Sequence, residues 1–336
     1  MTSPWNDHLS AAGAVLENDA VMHFGDAAGE LIAARDGTVL APLSHLALIS
    51  VSGDEAKTFL HNQLTSDINH LGIDALQHSA WCSAKGRMLA SFIIWRNGVD
   101  YMLELANDLL APIAKRLQMY VLRSKVVIAP GAEKRILLGL SGPQATAVLT
   151  GAGLPVPQAM QTADFPGGKV IHLEDKRFHL AIEAESASEI WRKLAANARP
   201  VGVPAWQWLD IQAGMPLVTE ATKEQFVPQM ANFERLGGVS FHKGCYPGQE
   251  IVARTQYLGK VKRHLYRISS PESLAAGVEL FSPGLPDQSC GMVVTGVASP
   301  AGGYEGLAVL MESAVEAGVN LGSREGIEVS ATAVAT

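Results

Sequence analysis

Cysteine is scarce in this chain of 336 residues: Cys82, Cys245 and Cys290 lie far apart, and no CxxC pair occurs. Dispersed cysteines in odd number do not make the disulfide framework of a small secreted domain, so they indicate a reducing compartment. The zinc-site spacings CxxC…CxxC and HExxH are also missing. We therefore predict no metal site from spacing. Binding of one iron–sulfur cluster by all three thiols would require the fold to bring them together.

Several other signals are absent. Neither GxGxxG, GxxxxGK[ST] nor Gly-x-Ser-x-Gly occurs, so dinucleotide binding, P-loop chemistry and nucleophile-elbow hydrolysis lack support. No apolar run approaches the roughly 18 residues of a membrane-spanning helix. The first residues have no basic stretch followed by an apolar one, as a secretory signal would. We expect a soluble cytoplasmic protein without a membrane partner.

The overall charge is acidic, with 26 Lys and Arg against 33 Asp and Glu, a net charge of −7. An acidic chain is a poor candidate for a dedicated nucleic-acid binder. One basic stretch stands out, and it is either a solvated face or a docking surface for a phosphate or a polyglutamate tail. Its members are Arg254, Lys260, Lys262, Arg263, His264 and Arg267, and the hairpin residues Lys85 and Arg87 would add to it.

The order strand, helix, hairpin, helix occurs twice along the chain. This pattern predicts two split-βαβ, ferredoxin-like units in an α+β body. The first copy has strand 46–51, a helix from Asp54, hairpin strands 78–84 and 87–95, strand 100–105 and a helix to about 121. The second has strand 135–140, a helix to about 150, hairpin strands 168–174 and 177–183, and helix 187–197 capped by Ser186.

The remaining segments have a different texture. Residues 1–35 are irregular, and a helix over 203–214 carries Trp206 and Trp208. After residue 258, short strands alternate with glycine and proline turns, which predicts a small β-barrel or sandwich. With 336 residues, more than one core is expected. We predict a body over 1–258 of two interleaved domains (46–130 with 203–258, and 131–202) and a barrel over 259–336.

The stretch 237–255 is the strongest candidate for chemistry. Cys245 lies between Gly244 and Gly248 and follows His242 and Lys243. A thiol on a glycine-rich turn beside cationic side chains is a plausible accessible nucleophile or ligand. The alternative is that this cysteine is a small buried apolar residue.

Three segments carry a family resemblance. Lys243-Gly244-Cys245-Tyr246-Pro247-Gly248-Gln249-Glu250 resembles the signature of the YgfZ-type folate-binding proteins of the glycine-cleavage T-protein (aminomethyltransferase) superfamily. Cys82-Ser83-Ala84-Lys85-Gly86-Arg87-Met88 is similar to the hairpin of that family, and Phe59-Leu60 with Gln63, Thr65 and Asp67 is similar to its first helix.

The resemblance implies a three-domain, T-protein-like ring whose third domain is a β-barrel. It also implies tetrahydrofolate binding, with contacts at Trp208, Leu46, Arg87 and Asn232. The implied function is support of the assembly or repair of iron–sulfur enzymes, including those that thiomethylate tRNA, with Cys245 as the reactive thiol and Lys243 beside it. Iron–sulfur enzymes or their assembly factors are then the expected partners.

Two departures from the family bear on function. Leu46 stands where the family has a tryptophan, so it packs on a folate ring without stacking as an indole does. Aminomethyltransferases have a carboxylate just after the hairpin turn, where this chain has Ala90-Ser91. Neither side chain can act as an anionic base. The alternatives are a folate-dependent one-carbon transferase, and a tRNA- or protein-binding module that uses the basic stretch.

Overall fold

The computed structural model describes residues 3–131, 135–257, 259, 261–285 and 288–334. Its helices are α1 Pro4–Ala11, α2 Ala27–Asp36, α3 Ala56–Gln63, α4 Leu110–Val121, α5 Ala145–Gly151, α6 Ala184–Ala195, α7 Val203–Gln212, α8 Gln249–Tyr257 and α9 Glu312–Ala317. Among the described residues, no helix is long and apolar enough to cross a membrane.

The strands up to residue 200 are β1 Val15–Glu17, β2 Ala20–His23, β3 Val39–Pro42, β4 Leu46–Ser52, β5 Leu76–Cys82, β6 Met88–Asn97, β7 Asp100–Ala106, β8 Val127–Pro130, β9 Ile136–Ser141, β10 Gln161–Phe165, β11 Gly168–His172, β12 Arg177–Ile182 and β13 Arg199–Pro200. The later strands are β14 Arg263–Ser270, β15 Glu279–Phe281, β16 Gly291–Ala298, β17 Tyr304–Met311, β18 Val319–Leu321 and β19 Glu328–Ala333.

Two sheets of the body repeat one topology. The first sheet has the order β5-β6-β7-β4-β8, and the second has β10-β11-β12-β9-β3-β13. If the strands of each unit are counted along the chain, both sheets read second, third, fourth, first, fifth, with β3 inserted in the second sheet. The α+β class and the predicted repetition are confirmed.

Each sheet is covered by helices whose apolar residues recur at helical spacing. Ile113, Leu117 and Val121 of α4 are buried in the first core, and Ile190, Trp191 and Leu194 of α6 are buried in the core of the second sheet. The prediction that Ser186 caps this helix was wrong. The helix begins at Ala184 after the extended residue Glu183, so Ser186 lies within its first turn.

The N-terminal segment is ordered, contrary to the expectation for 1–35. It forms α1, the hairpin β1–β2 and α2, which leads into β3 of the second sheet. Asp26 caps α2 by accepting from the Gly29 N–H at 3.0 Å and pairs with Arg199 at 2.7 Å. Buried Glu30 accepts from the Gly202 N–H at 2.8 Å. Polar side chains with distant partners fix this segment, which is why hydrophobic periodicity missed it.

The C-terminal strands close into the barrel β14-β17-β16-β15-β18-β19, which decides between the predicted barrel and sandwich. Helix α7 lies between this barrel and the second sheet. On one side the Trp206 ring covers Gly139 so closely that a Cβ there would lie 2.5 Å from it. On the other side the Trp208 indole N–H donates to Glu305 of β17 at 3.0 Å. The domain boundaries given above stay a prediction.

Candidate functional site

The stretch 237–255 is fastened to the first sheet at its start. The Thr65 hydroxyl donates to the Gly238 carbonyl at 2.6 Å, and the Ser240 N–H donates to the Thr65 carbonyl at 2.9 Å. The same hydroxyl accepts from the Ala80 N–H of β5 at 2.9 Å. Buried Thr65 therefore joins the stretch to the sheet beside α3.

Lys243 forms the second attachment. Its buried ammonium donates to the carbonyls of His61 and, at 2.5 Å, of Leu64. These carbonyls belong to the end of α3, where carbonyls lack partners within the helix and a cation is favourable. The ammonium also lies 5.0 Å from the centre of the Tyr246 ring. Burial lowers the pKa of Lys243 to about 8, against an opposing effect of Asp67.

Gly248 forms the third attachment, at the hairpin turn that precedes β6. A Cβ on Gly248 would lie 2.4 Å from the Ser83 carbonyl oxygen and 2.7 Å from the Gly86 Cα. Gly86 and Gly248 both have positive φ, +69° and +80°, which glycine adopts without strain. Two motifs far apart in sequence thus meet backbone to backbone at Gly86 and Gly248.

Cys245 is exposed on the segment 238–248 that these three attachments hold (the cysteine loop), whereas Cys82 and Cys290 are buried. Burial raises the pKa of Cys82 to about 12 and that of Cys290 to about 11. Cys82 belongs to the core of the first sheet and Cys290 to the barrel core, so a cluster shared by three thiols has no support. Cys245 is the only accessible thiol of the described residues.

A cavity lies where the two sheets and α7 meet. Its volume is about 60 Å³, room for several water-sized groups. Its lining is Leu46, His78, Ser91, Phe92, Ile93, Glu104, Leu173, Arg177, His179, Asp210, Met215, Pro216, Leu217 and Phe233. Leu46, the predicted folate contact, is therefore part of a cavity that also contains five ionisable side chains.

Four of these ionisable groups form two pairs, one buried and one partly buried. His179 Nδ1 lies 2.9 Å from Glu104 Oε1, and Arg177 bonds Asp210. Burial raises the pKa of Asp210 against the opposing effect of Arg177, and burial lowers that of His78 to about 4, with Arg177 and His179 adding to it. Within the cavity lining, Glu104 Oε2, both ring nitrogens of His179 and Arg177 Nε have no hydrogen-bond partner. Such atoms can donate to or accept from a ligand.

The structure does not bring the other predicted folate contacts to this cavity. Trp208 is buried, and its indole N–H donates to Glu305 of the barrel. Exposed Arg87 bonds the Gln225 carbonyl at the hairpin turn. Asn232 ends the 3₁₀ turn Pro228–Ala231 with φ +57°. Their roles as folate contacts stay predictions.

The basic stretch is divided by the fold. Arg254, Lys262 and half-buried Arg263 line a groove between α8 and the barrel. Arg267 instead donates to Gln212 at 3.1 Å, and His264 Nε2 lies 3.0 Å from the Val261 carbonyl. Lys260 lies outside the described residues.

Sequence reasoning missed Glu104 and His179. Each is an ionisable residue between apolar neighbours within a strand, in Met-Leu-Glu-Leu and in Phe-His-Leu. Because a buried ionisable group needs a partner, such an interruption is a usable signal. Helix α8 was missed as well, since the stretch 237–255 was expected to form a glycine-rich turn.

Residues 18–240 match the GCVT N-terminal domain. The chain is 35% identical over 246 residues to the tRNA-modifying protein YgfZ of Yersinia pseudotuberculosis, covering 72% of this chain and 74% of that protein. It is 33% identical over 239 residues to the tRNA-modifying protein YgfZ of Cronobacter sakazakii, covering 70% and 72%.

The fold has a counterpart among solved structures. The glycine cleavage system aminomethyltransferase T from Bartonella henselae aligns with a TM-score of 0.84 and 22% identity, over 99% of this chain and 97% of that one. This likeness concerns the fold. The domain match and the two relatives show that this chain belongs to the YgfZ-type proteins of the glycine-cleavage T-protein superfamily.

Proposed function

We propose that this protein is a folate-binding accessory factor that supports tRNA modification through the Cys245 thiol. The observation that carries the proposal is the accessible Cys245 on a loop attached at Thr65, Lys243 and Gly248. A thiol on an attached loop meets its partner in a defined orientation, which lowers the entropy lost in the encounter. The two relatives are named tRNA-modifying proteins.

The proposed clients are iron–sulfur enzymes, including those that thiomethylate tRNA. This follows from the family resemblance and from a thiol that is free for chemistry with a metal–sulfur partner. The test replaces the native copy by Cys245→Ser and measures the activity of iron–sulfur enzymes in extracts. The matched control is Cys82→Ala, which removes a buried thiol. Full activity with Cys245→Ser would overturn the proposed role of the thiol.

Tetrahydrofolate is the proposed cofactor, and the cavity at Leu46 suits one edge of its pterin ring. The unpartnered Glu104 Oε2 can accept from an amino or ring N–H, and Arg177 Nε can donate to a ring carbonyl. Leu46, Phe92 and Leu217 provide apolar contact. When bound, the folate supplies a one-carbon carrier, while these residues bind and orient it.

One-carbon transfer is the second candidate, and Glu104 is the observation that favours it. Ala90 and Ser91 offer no carboxylate after the hairpin turn, and Ser91 Oγ accepts from the Val218 N–H at 3.0 Å. Glu104, however, brings a carboxylate to the same cavity. Incubation with tetrahydrofolate and candidate amine donors tests this function. Formation of methylene-tetrahydrofolate at enzymatic rates would replace the accessory role.

A further inference from the structure

We propose that His61, oriented by Asp67, accepts the thiol proton of Cys245 and so prepares the sulfur for reaction. The inference rests on the proposed function, because it concerns the same thiol. It assigns a task to two residues that the signature motif does not contain.

The geometry comes from the last turn of α3. His61 Nδ1 lies 3.2 Å from Asp67 Oδ1, an ion-pair distance without hydrogen-bond alignment, and Nε2 is on the other side of the ring. Nε2 faces the cysteine loop, since a Cβ placed on Gly244 would lie 3.7 Å from it. Cys245 is the next residue, with its Cα about 3.8 Å further along the chain. No hydrogen bond joins the two groups in this structure, so the transfer requires the exposed Cys245 side chain to turn towards Nε2.

The cysteine loop is held beside His61, because Lys243 binds the backbone of the same helical turn. The Lys243 ammonium donates to the carbonyls of His61 and Leu64. Gln249 adds a long contact from its side-chain amide to the Gly244 carbonyl at 3.4 Å. The imidazole and the cysteine loop are therefore held together by bonds that do not involve the thiol.

The charges around His61 favour a neutral imidazole in the resting state. Burial lowers the pKa of His61, the Lys243 ammonium lowers it further, Asp67 raises it and His70 lowers it. Asp67 stays ionised: partial burial raises its pKa, but hydrogen bonds from His70 and from the Asn69 N–H outweigh burial and lower it. A neutral imidazole has a free acceptor nitrogen, as a base requires.

The proton transfer is balanced within the protein. The S–H bond of Cys245 breaks, its proton moves to His61 Nε2, and the electron pair stays on sulfur. Asp67 stabilises the resulting imidazolium through Nδ1. The Lys243 ammonium opposes that imidazolium and attracts the thiolate. The arrangement follows the general logic of a nucleophile, a base and an orienting carboxylate.

The test measures alkylation of Cys245 by iodoacetamide in the full chain, followed by intact mass. In this reaction the S–C bond forms as the C–I bond breaks, and iodide leaves with the bonding electrons. His61→Ala should lower the rate at pH 7 on the order of tenfold, because loss of the proton acceptor lowers the fraction of Cys245 present as thiolate. Added imidazole should restore part of that rate, because the shortened side chain leaves room for it.

Two further variants complete the design. His23→Ala is the control, since half-buried His23 lies in β2 and accepts from the Gly25 N–H. It should react at the wild-type rate. Asp67→Asn should fall between His61→Ala and wild type. His61→Gln, a smaller perturbation, keeps the test valid if His61→Ala does not fold.

Three outcomes decide the inference. A wild-type alkylation rate in folded His61→Ala or His61→Gln overturns it, and so does a slowed rate that imidazole does not rescue. Slowing together with rescue supports it. None of these rates depends on iron–sulfur enzymes, so the proposed function can fail in cells while the His61 result stands, and the reverse also holds.

Discussion

Gly248 lies against Gly86 with no room for a side chain between them, and this contact joins the cysteine loop to the hairpin before β6. Each of the two glycines belongs to one of the motifs on which the family resemblance rests. The motifs are therefore two sides of one backbone contact. The contact places the exposed Cys245 at a fixed distance from the first sheet.

Gly248→Ala should destabilise the protein. The new Cβ would meet the Ser83 carbonyl oxygen at 2.4 Å in a backbone with φ +80°. Gly237→Ala is the control, because Gly237 has φ +67° and nothing within 4 Å of the new Cβ. Both variants bear the strain of positive φ, about 1–2 kcal/mol, and only Gly248→Ala adds the clash. We expect a lower apparent Tm for Gly248→Ala than for Gly237→Ala. Equal Tm values would contradict the contact.

Lys243→Met should lower stability by about 1–3 kcal/mol, because two carbonyls at the end of α3 lose their donor. Lys262→Met, at an exposed lysine, is the control. The pH dependence is a second check. Burial lowers the pKa of Lys243 from 10.5 to about 8, so between these values the unfolded chain binds more protons. Wild-type stability should therefore rise with pH in this window relative to Lys243→Met. A flat difference in denaturation midpoint would count against the burial of the ammonium.

Acid should destabilise the protein through His78, which lines the cavity. Burial lowers the pKa of His78 from 6.5 to about 4, so between these values the unfolded chain again binds more protons. The stability due to neutral His78 is complete above pH 6.5 and is lost as pH falls towards 4. His78→Gln should reduce the slope of Tm against pH in this range. An unchanged slope would mean that His78 is not buried as described.

Folate affinity should depend on Glu104. Glu104→Gln removes the anionic acceptor from the cavity, and a loss of about tenfold in tetrahydrofolate affinity by equilibrium dialysis is expected, as for about 1.4 kcal/mol. Glu189→Gln is the control, since Glu189 is exposed on α6 and pairs with Lys193. Unchanged affinity in Glu104→Gln, with weaker binding in Trp208→Phe, would move the folate site to the barrel side.

The basic groove gives a prediction about RNA. Arg254, Lys262 and Arg263 line it together, so a double reversal, Arg254→Glu with Lys262→Glu, should weaken salt-sensitive tRNA binding if tRNA docks there. Arg267→Glu is not a suitable control, because Arg267 bonds Gln212. Lys115→Glu, on the exposed side of α4, serves instead. Equal tRNA affinity in both variants would remove the groove as a docking surface.

The sequence predicted those parts of the fold that depend on local periodicity. The strands and helices of both repeated units and the alternating C-terminal strands follow from apolar spacing and turn residues. It could not place Glu104 beside His179, because that pair forms only when two sheets meet. Nor could it show that Lys243 faces α3, since the bonds to His61 and Leu64 span about 180 residues.

The most direct test of the central claim is the level of thiomethylated nucleosides in tRNA, measured by mass spectrometry in cells whose native copy is replaced. Wild type and the control Cys82→Ala should maintain the level. Cys245→Ser should reduce it to that of cells without the protein, although the variant accumulates to wild-type amounts. A normal level of thiomethylated tRNA with Cys245→Ser as the sole copy would contradict the account.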